Sequence, residues 1–150
     1  MSRLVALCLA VALIEGGRLW SAPLVYEDAN IRMGLAMRPH AYWTVPGREL
    51  TMQTHALTPD PRVAHLVNVA LHLGNGAMVY AVGAALASPA VAVGAAGLYL
   101  VHPLNVEATA YVTARGDLLL TLFTLLAVWC ALQGSALAGA VPVRAGPGQR

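Results

Sequence analysis

The stretch HPLNVEATAYVTARGDLL, residues 102–119, decides how this chain is read. It sets a His-Pro break at His102 and Pro103, a lone glutamate at Glu107 and an Arg-x-Asp pair at Arg115 and Asp117 between two long apolar segments. Ionisable groups at membrane depth cost several kcal/mol unless they are paired or face a wet cavity. A chain that keeps them there points to the rim of a site inside a membrane.

Composition supports the same solvent. Hydrophobic residues make up 58% of the chain and charged residues 11%, against about 25% charged in an ordinary soluble domain. Mean hydropathy is +0.64. The 150 residues have room for about four helical spans of about 20 residues each plus one sizeable loop. The reading is an all-α membrane protein with one interfacial extracytoplasmic loop containing short helices. A net charge of +2, carried by nine scattered arginines and no lysine, leaves no basic patch for nucleic acid. Cys8 and Cys130 sit in apolar runs near opposite ends, which suits packing better than a disulfide or a metal site.

The expected membrane domain covers residues 1–136, with a tail or linker at 137–150. An apolar run at 4–14 follows Arg3 and has the length of a signal-peptide core; extended to residue 25, with Glu15 and Arg18 facing protein or the interface, it makes a first span. Residues 26–61 hold seven of the sixteen charged residues and four prolines and read as a surface loop. Within it, residues 32–43 mix Met, Leu, Trp and Tyr with arginine, as interfacial helices do. A second span is expected at 63–87, and Ser88-Pro89 marks a tight turn. A third span, 90–112, is interrupted at His102-Pro103, because proline removes a backbone donor and disfavours helix at the residue before it. The freed backbone needs a cavity or protein cover. A last span follows at 116–134.

Candidate chemistry lies in three places. Glu27 and Asp28 follow the first apolar segment, where a carboxylate held at the boundary can serve as a general base. His65, Asn68, His72 and Asn75 fall at i, i+3, i+7 and i+10, so they share one helix face. The two histidines are about 10 Å apart along the axis at about 1.5 Å per residue, so no single ion bridges them and helix-to-helix hydrogen bonding is the expected role. Glu107, Tyr111 and Arg115 recur at i, i+4 and i+8 and line one face if the segment is helical. The Arg115 fork suits a phosphate, and Asp117 reads as a helix cap.

These residues also match a known pattern. His102-Pro103-Leu104, Val106-Glu107-Ala108 and Arg115-x-Asp117-Leu118-Leu119, followed by Phe123 and Leu125-Leu126-Ala127, resemble the amino-terminal membrane region of the transmembrane and tetratricopeptide-repeat O-mannosyltransferase-like proteins. These belong to the GT-C glycosyltransferase superfamily. His65-Leu66-Val67-Asn68 with His72 and Asn75 is similar to that family's second membrane helix, Arg48-x-Leu50-Thr51 to its Arg-Pro-Leu-Thr stretch, and Val25-Tyr26-Glu27-Asp28 to its aromatic-Asp-Asp signature. The resemblance runs from residue 24 to residue 133 in one order. Glu27 stands where the family usually has aspartate and Glu49 where it has proline, so the base assignment between Glu27 and Asp28 stays open.

The resemblance implies transfer of a sugar, with inversion, from a polyprenyl-phosphate-linked donor to a hydroxyl of an acceptor protein or glycan on the non-cytoplasmic side. It assigns Asp28 or Glu27 as general base, Arg115 with His102 or Arg48 to the lipid phosphate, and Glu107 to orienting the site; it names no metal ligand and leaves a divalent ion open. Family members carry more membrane helices and a repeat domain, so the chain is expected to be the front end of such a protein and inactive alone. Charge counting pulls topology both ways: the loop arginines favour a cytoplasmic loop, whereas Arg3, Arg144 and Arg150 favour the reverse; the resemblance places both termini inside. A non-catalytic helical membrane scaffold or subunit, and a transporter fragment using His102, Glu107 and Arg115 as a relay, are the alternatives.

Overall fold

A computed structural model describes residues 2–19 and 49–140. Its helices are α1 (Ser2–Leu19), α2 (Glu49–Leu57), α3 (Pro61–Leu86), α4 (Pro89–Val101), α5 (Pro103–Ala110), a 3-10 turn (Val112–Ala114) and α6 (Arg115–Ala140). No strand occurs among the described residues.

Three of the helix starts are written the same way, as a capping residue followed by proline. Asp60 accepts from the Arg62 amide at 2.7 Å ahead of Pro61, and Ser88 accepts from the Val91 amide at 3.4 Å ahead of Pro89. His102 does the same ahead of Pro103, its Nδ1 accepting from the Leu104 amide at 3.3 Å. Proline at the first helical position loses nothing, because that amide has no partner within the helix. Each cap then satisfies one of the remaining orphan donors. The same dipeptides that stop one helix therefore start the next.

The central helix is α3, which packs against α1, α4, α5 and α6. Small residues set its approach to α4. A Cβ placed on Gly83 would lie 3.2 Å from the Ala92 Cα, and one placed on Gly76 would lie 2.6 Å from Leu100 Cδ2. Without a bilayer-scale hydrophobic force between helices, such close backbone contact is what holds membrane helices together. At the other end of the hairpin, α2 reaches the start of α6, with Gly116 admitting the Thr51 side chain.

Among the described residues two helical stretches are long and apolar enough to cross a membrane, Pro61–Leu86 and Val112–Gly134. A third crossing arises if α4 and α5, bent by 57° at His102-Pro103, count as one broken span. The described residues thus hold two to three candidate crossings against the four expected. The first apolar segment differs because Arg3, Glu15 and Arg18 all fall within its 18 helical residues. Outward apolar side chains, among them Leu13 at 77% and Leu120 at 67% exposed, suit a lipid environment. Within the expected loop 26–61, α2 is a short helix, and the stretch 32–43 lies outside the described residues.

Candidate functional site

The polar stripe of α3 lies inside the protein. His65, Asn68, His72 and Asn75 are all buried, at 1% exposure or less, in the midst of an apolar helix. Three of the four are spent on backbone carbonyls of the chain that returns past α3. His72 Nε2 donates to the Leu100 carbonyl at 3.1 Å, Asn68 Nδ2 to the Tyr111 carbonyl at 2.9 Å, and Asn75 Nδ2 to the Leu118 carbonyl at 2.9 Å.

The first two acceptors sit where the chain leaves helical geometry. His102 is extended (φ −69°, ψ 127°) and so is Tyr111 (φ −90°, ψ 114°), so carbonyls that a continuous helix would bond internally turn outward. In a membrane each such group must find a protein donor. Tyr99 shows the logic most plainly: its helical partner would be the amide of residue 103, which is proline, and the side chain of Asn105 donates to the Tyr99 carbonyl instead at 3.0 Å. His72 also stacks on the Tyr99 ring, with centroids 5.3 Å apart. The stripe and Asn105 thus sew together a bent, broken helix path. Helix-to-helix hydrogen bonding is the arrangement found.

Arg115 occupies the centre of this seam and is fully buried. Its Nε donates to Asn68 Oδ1 at 2.9 Å, one terminal nitrogen to Thr58 Oγ at 2.8 Å and the other to the Ala64 carbonyl at 3.0 Å. One guanidinium therefore ties the start of α6 to the first turns of α3 and to the residue after α2. Each neutral acceptor shares the charge through a charge-assisted bond, the strongest kind available here.

The Glu107–Tyr111–Arg115 face does not form as the spacing suggests. α5 ends at Ala110 and Tyr111 adopts extended backbone, so the helical register is lost between Glu107, which is exposed, and Arg115, which is buried. The physical reason is the Asn68 amide: it binds the Tyr111 and Ala108 carbonyls, at 2.9 and 3.5 Å, and rewards the broken path. Asp117 stands exposed in the first turn of α6, where a carboxylate faces the positive end of the helix dipole. His102 caps α5 at the surface. Glu27, Asp28 and Arg48 lie outside the described residues.

A cavity of about 540 Å³ opens between α1 and the α4–α5 bend. Val11, Ile14, Leu19 and Leu100 provide apolar walls, and Glu15, Arg18 and Glu107 provide charge. It places Glu107 opposite α1, a neighbour that sequence spacing had no means of naming. Thr58 and Asn105 were likewise missed. A donor two residues beyond a helix-breaking proline is the signal that could have found Asn105. Among the described residues no group of three or more His, Cys, Asp or Glu side chains is placed to hold a metal ion.

Compared with known protein families, curated proteins and solved structures, the chain matches none.

Proposed function

We propose that this chain is the amino-terminal membrane part of a glycosyltransferase that passes a sugar from a polyprenyl-phosphate carrier to an acceptor hydroxyl on the non-cytoplasmic side. The observation that carries the reading is the order of its motifs: the acidic pair Glu27-Asp28, then Arg48 to Thr51, then the His65 to Asn75 stripe, then His102 to Asp117. In its support, the last two motifs meet directly in space through Asn68, Tyr111 and Arg115.

In this reading α1, continued by residues 20–25, supplies a fourth span, and loop 26–61 faces the non-cytoplasmic side. Asp28 or Glu27 takes the acceptor proton. Arg115, whose three nitrogens are directed at protein acceptors, holds the framework, and charge developing on the lipid phosphate falls to Arg48 and His102. Glu107 orients the site from the rim of the cavity.

The test is photoaffinity labelling of the chain in lipid nanodiscs with a photoactivatable polyprenyl-phosphate mannose. Labelling should be competed by unlabelled donor and fall several-fold in Arg48→Gln. Equal labelling by a photoactivatable polyprenol lacking phosphate would overturn the reading. It would favour instead a non-catalytic helical subunit, which has the wholly internal use of Arg115 and the α3 stripe on its side.

A further inference from the structure

Glu15 is 8% exposed, and its carboxylate accepts no hydrogen bond from the described residues. Its neighbour of opposite charge is Arg18, at 3.7 Å, a distance too long for a hydrogen bond. The Arg18 side chain is itself 72% exposed. An ionised carboxylate offers about four acceptor positions, and charge-assisted donors bind it more strongly than neutral pairs bind one another. Glu15 is therefore a largely enclosed carboxylate, loosely ion-paired with Arg18, whose oxygens can take further donors from the cavity it lines with Arg18 and Glu107.

We propose that this cavity binds a zwitterionic phospholipid through its primary amine. The ammonium donates to Glu15 and Glu107, the phosphate meets Arg18, and the start of an acyl chain lies along Val11, Ile14 and Leu100. Charge decides the class of ligand. Two carboxylates and one guanidinium complement a headgroup carrying both an ammonium and a phosphate, whereas an anionic lipid would bring its charge against both carboxylates. Spacing agrees, since residues three apart on a helix are separated by about 4.5 Å along the axis, within reach of the two-carbon link of ethanolamine. A choline headgroup carries the same charges but has no N–H to donate, so Glu15 would gain no donor. The site stands whether or not the chain transfers sugar.

The test is native mass spectrometry of the full chain released from detergent with equal amounts of dioleoyl phosphatidylethanolamine, phosphatidylcholine and phosphatidylglycerol. Adducts with the ethanolamine lipid should exceed those with the choline lipid by about tenfold, the effect of one charge-assisted hydrogen bond. Glu15→Gln keeps the shape and should bring the two lipids level; Glu107→Gln should reduce the preference by less. Equal binding of the ethanolamine and choline lipids by the unaltered chain overturns the proposal and needs no variant to fold. So does a preference for phosphatidylglycerol, or a preference that survives in a Glu15→Gln chain of unchanged helicity.

Discussion

Arg115 Nε and Asn68 Oδ1 meet at 2.9 Å with both residues fully buried, and the same Asn68 amide turns its nitrogen to the Tyr111 carbonyl. One asparagine thereby answers both the cation that starts α6 and the backbone break that precedes it. Lysine at position 115 would keep the charge but lose the planar fork that reaches three differently placed acceptors. Arg115→Lys is expected to destabilise the fold by about 2 kcal/mol, measured by denaturant unfolding in micelles. A variant as stable as the parent would mean that Thr58, Asn68 and Ala64 do not depend on the guanidinium.

Asn105 and Pro103 form a second coupled pair, because one supplies the donor that the other removes. With Pro103 present, Asn105→Ala leaves the Tyr99 carbonyl without its 3.0 Å partner and should cost about 1 kcal/mol. With Pro103→Ala, residue 103 regains an amide that can serve Tyr99, and the Asn105 truncation should then cost little. The double-mutant cycle reads this coupling directly. Additive costs would show that Asn105 acts elsewhere than on the carbonyl that proline orphans.

Much of this architecture was legible because the relevant signals are local. Asp60-Pro61, Ser88-Pro89 and His102-Pro103 each carry a cap and a helix start in two residues, and the stripe from His65 to Asn75 stands out as polar residues at helical spacing in an apolar run. Its acceptors were not legible. They are main-chain oxygens, identical at every position in the sequence, which become special only where a neighbouring segment leaves helical geometry. The break at Tyr111 is the clearest case: no proline or glycine lies between Leu104 and Arg115, and the extended residue is favoured by Asn68, which is 43 residues away. Arg115 was visible as a charge. That its donors are met by a side-chain oxygen, a hydroxyl and a carbonyl depends on three segments meeting, which spacing alone cannot state.

Gly76 fixes how closely α3 and α4 approach. A Cβ there would stand 2.6 Å from Leu100 Cδ2 and 2.8 Å from its Cγ, and Leu100 is fully buried, so the side chain has little room to retreat. Gly76→Ala should destabilise by about 1–3 kcal/mol through overpacking. Combining it with Leu100→Ala should recover part of that loss, because the second change removes the clashing atoms. Thermal unfolding of the two single variants and the double variant measures it; costs that simply add would place the strain of Gly76→Ala away from Leu100.

Orientation in the membrane follows from which end of the bundle holds the seam. Arg115 at the start of α6 reaches Thr58 and Ala64 at the start of α3, and the cavity joins the last turns of α1 to the α4–α5 bend. The end of α1 and the described residues 49–60 therefore lie at the same end as His102, Glu107 and Arg115. The arginines at positions 32, 38 and 48 would draw that end to the cytoplasm if they acted as free topology signals; arginines engaged with lipid phosphate are not free in that sense, and the proposed glycosyltransfer needs the opposite side. Leu57, at the end of α2, is 81% exposed and offers a clean reporter. In a background with Cys8 and Cys130 replaced by alanine, Leu57→Cys should react with a membrane-impermeant maleimide added outside intact cells. Reaction only after the membrane is opened would put the seam on the cytoplasmic face, where the proposed acceptor chemistry has no place.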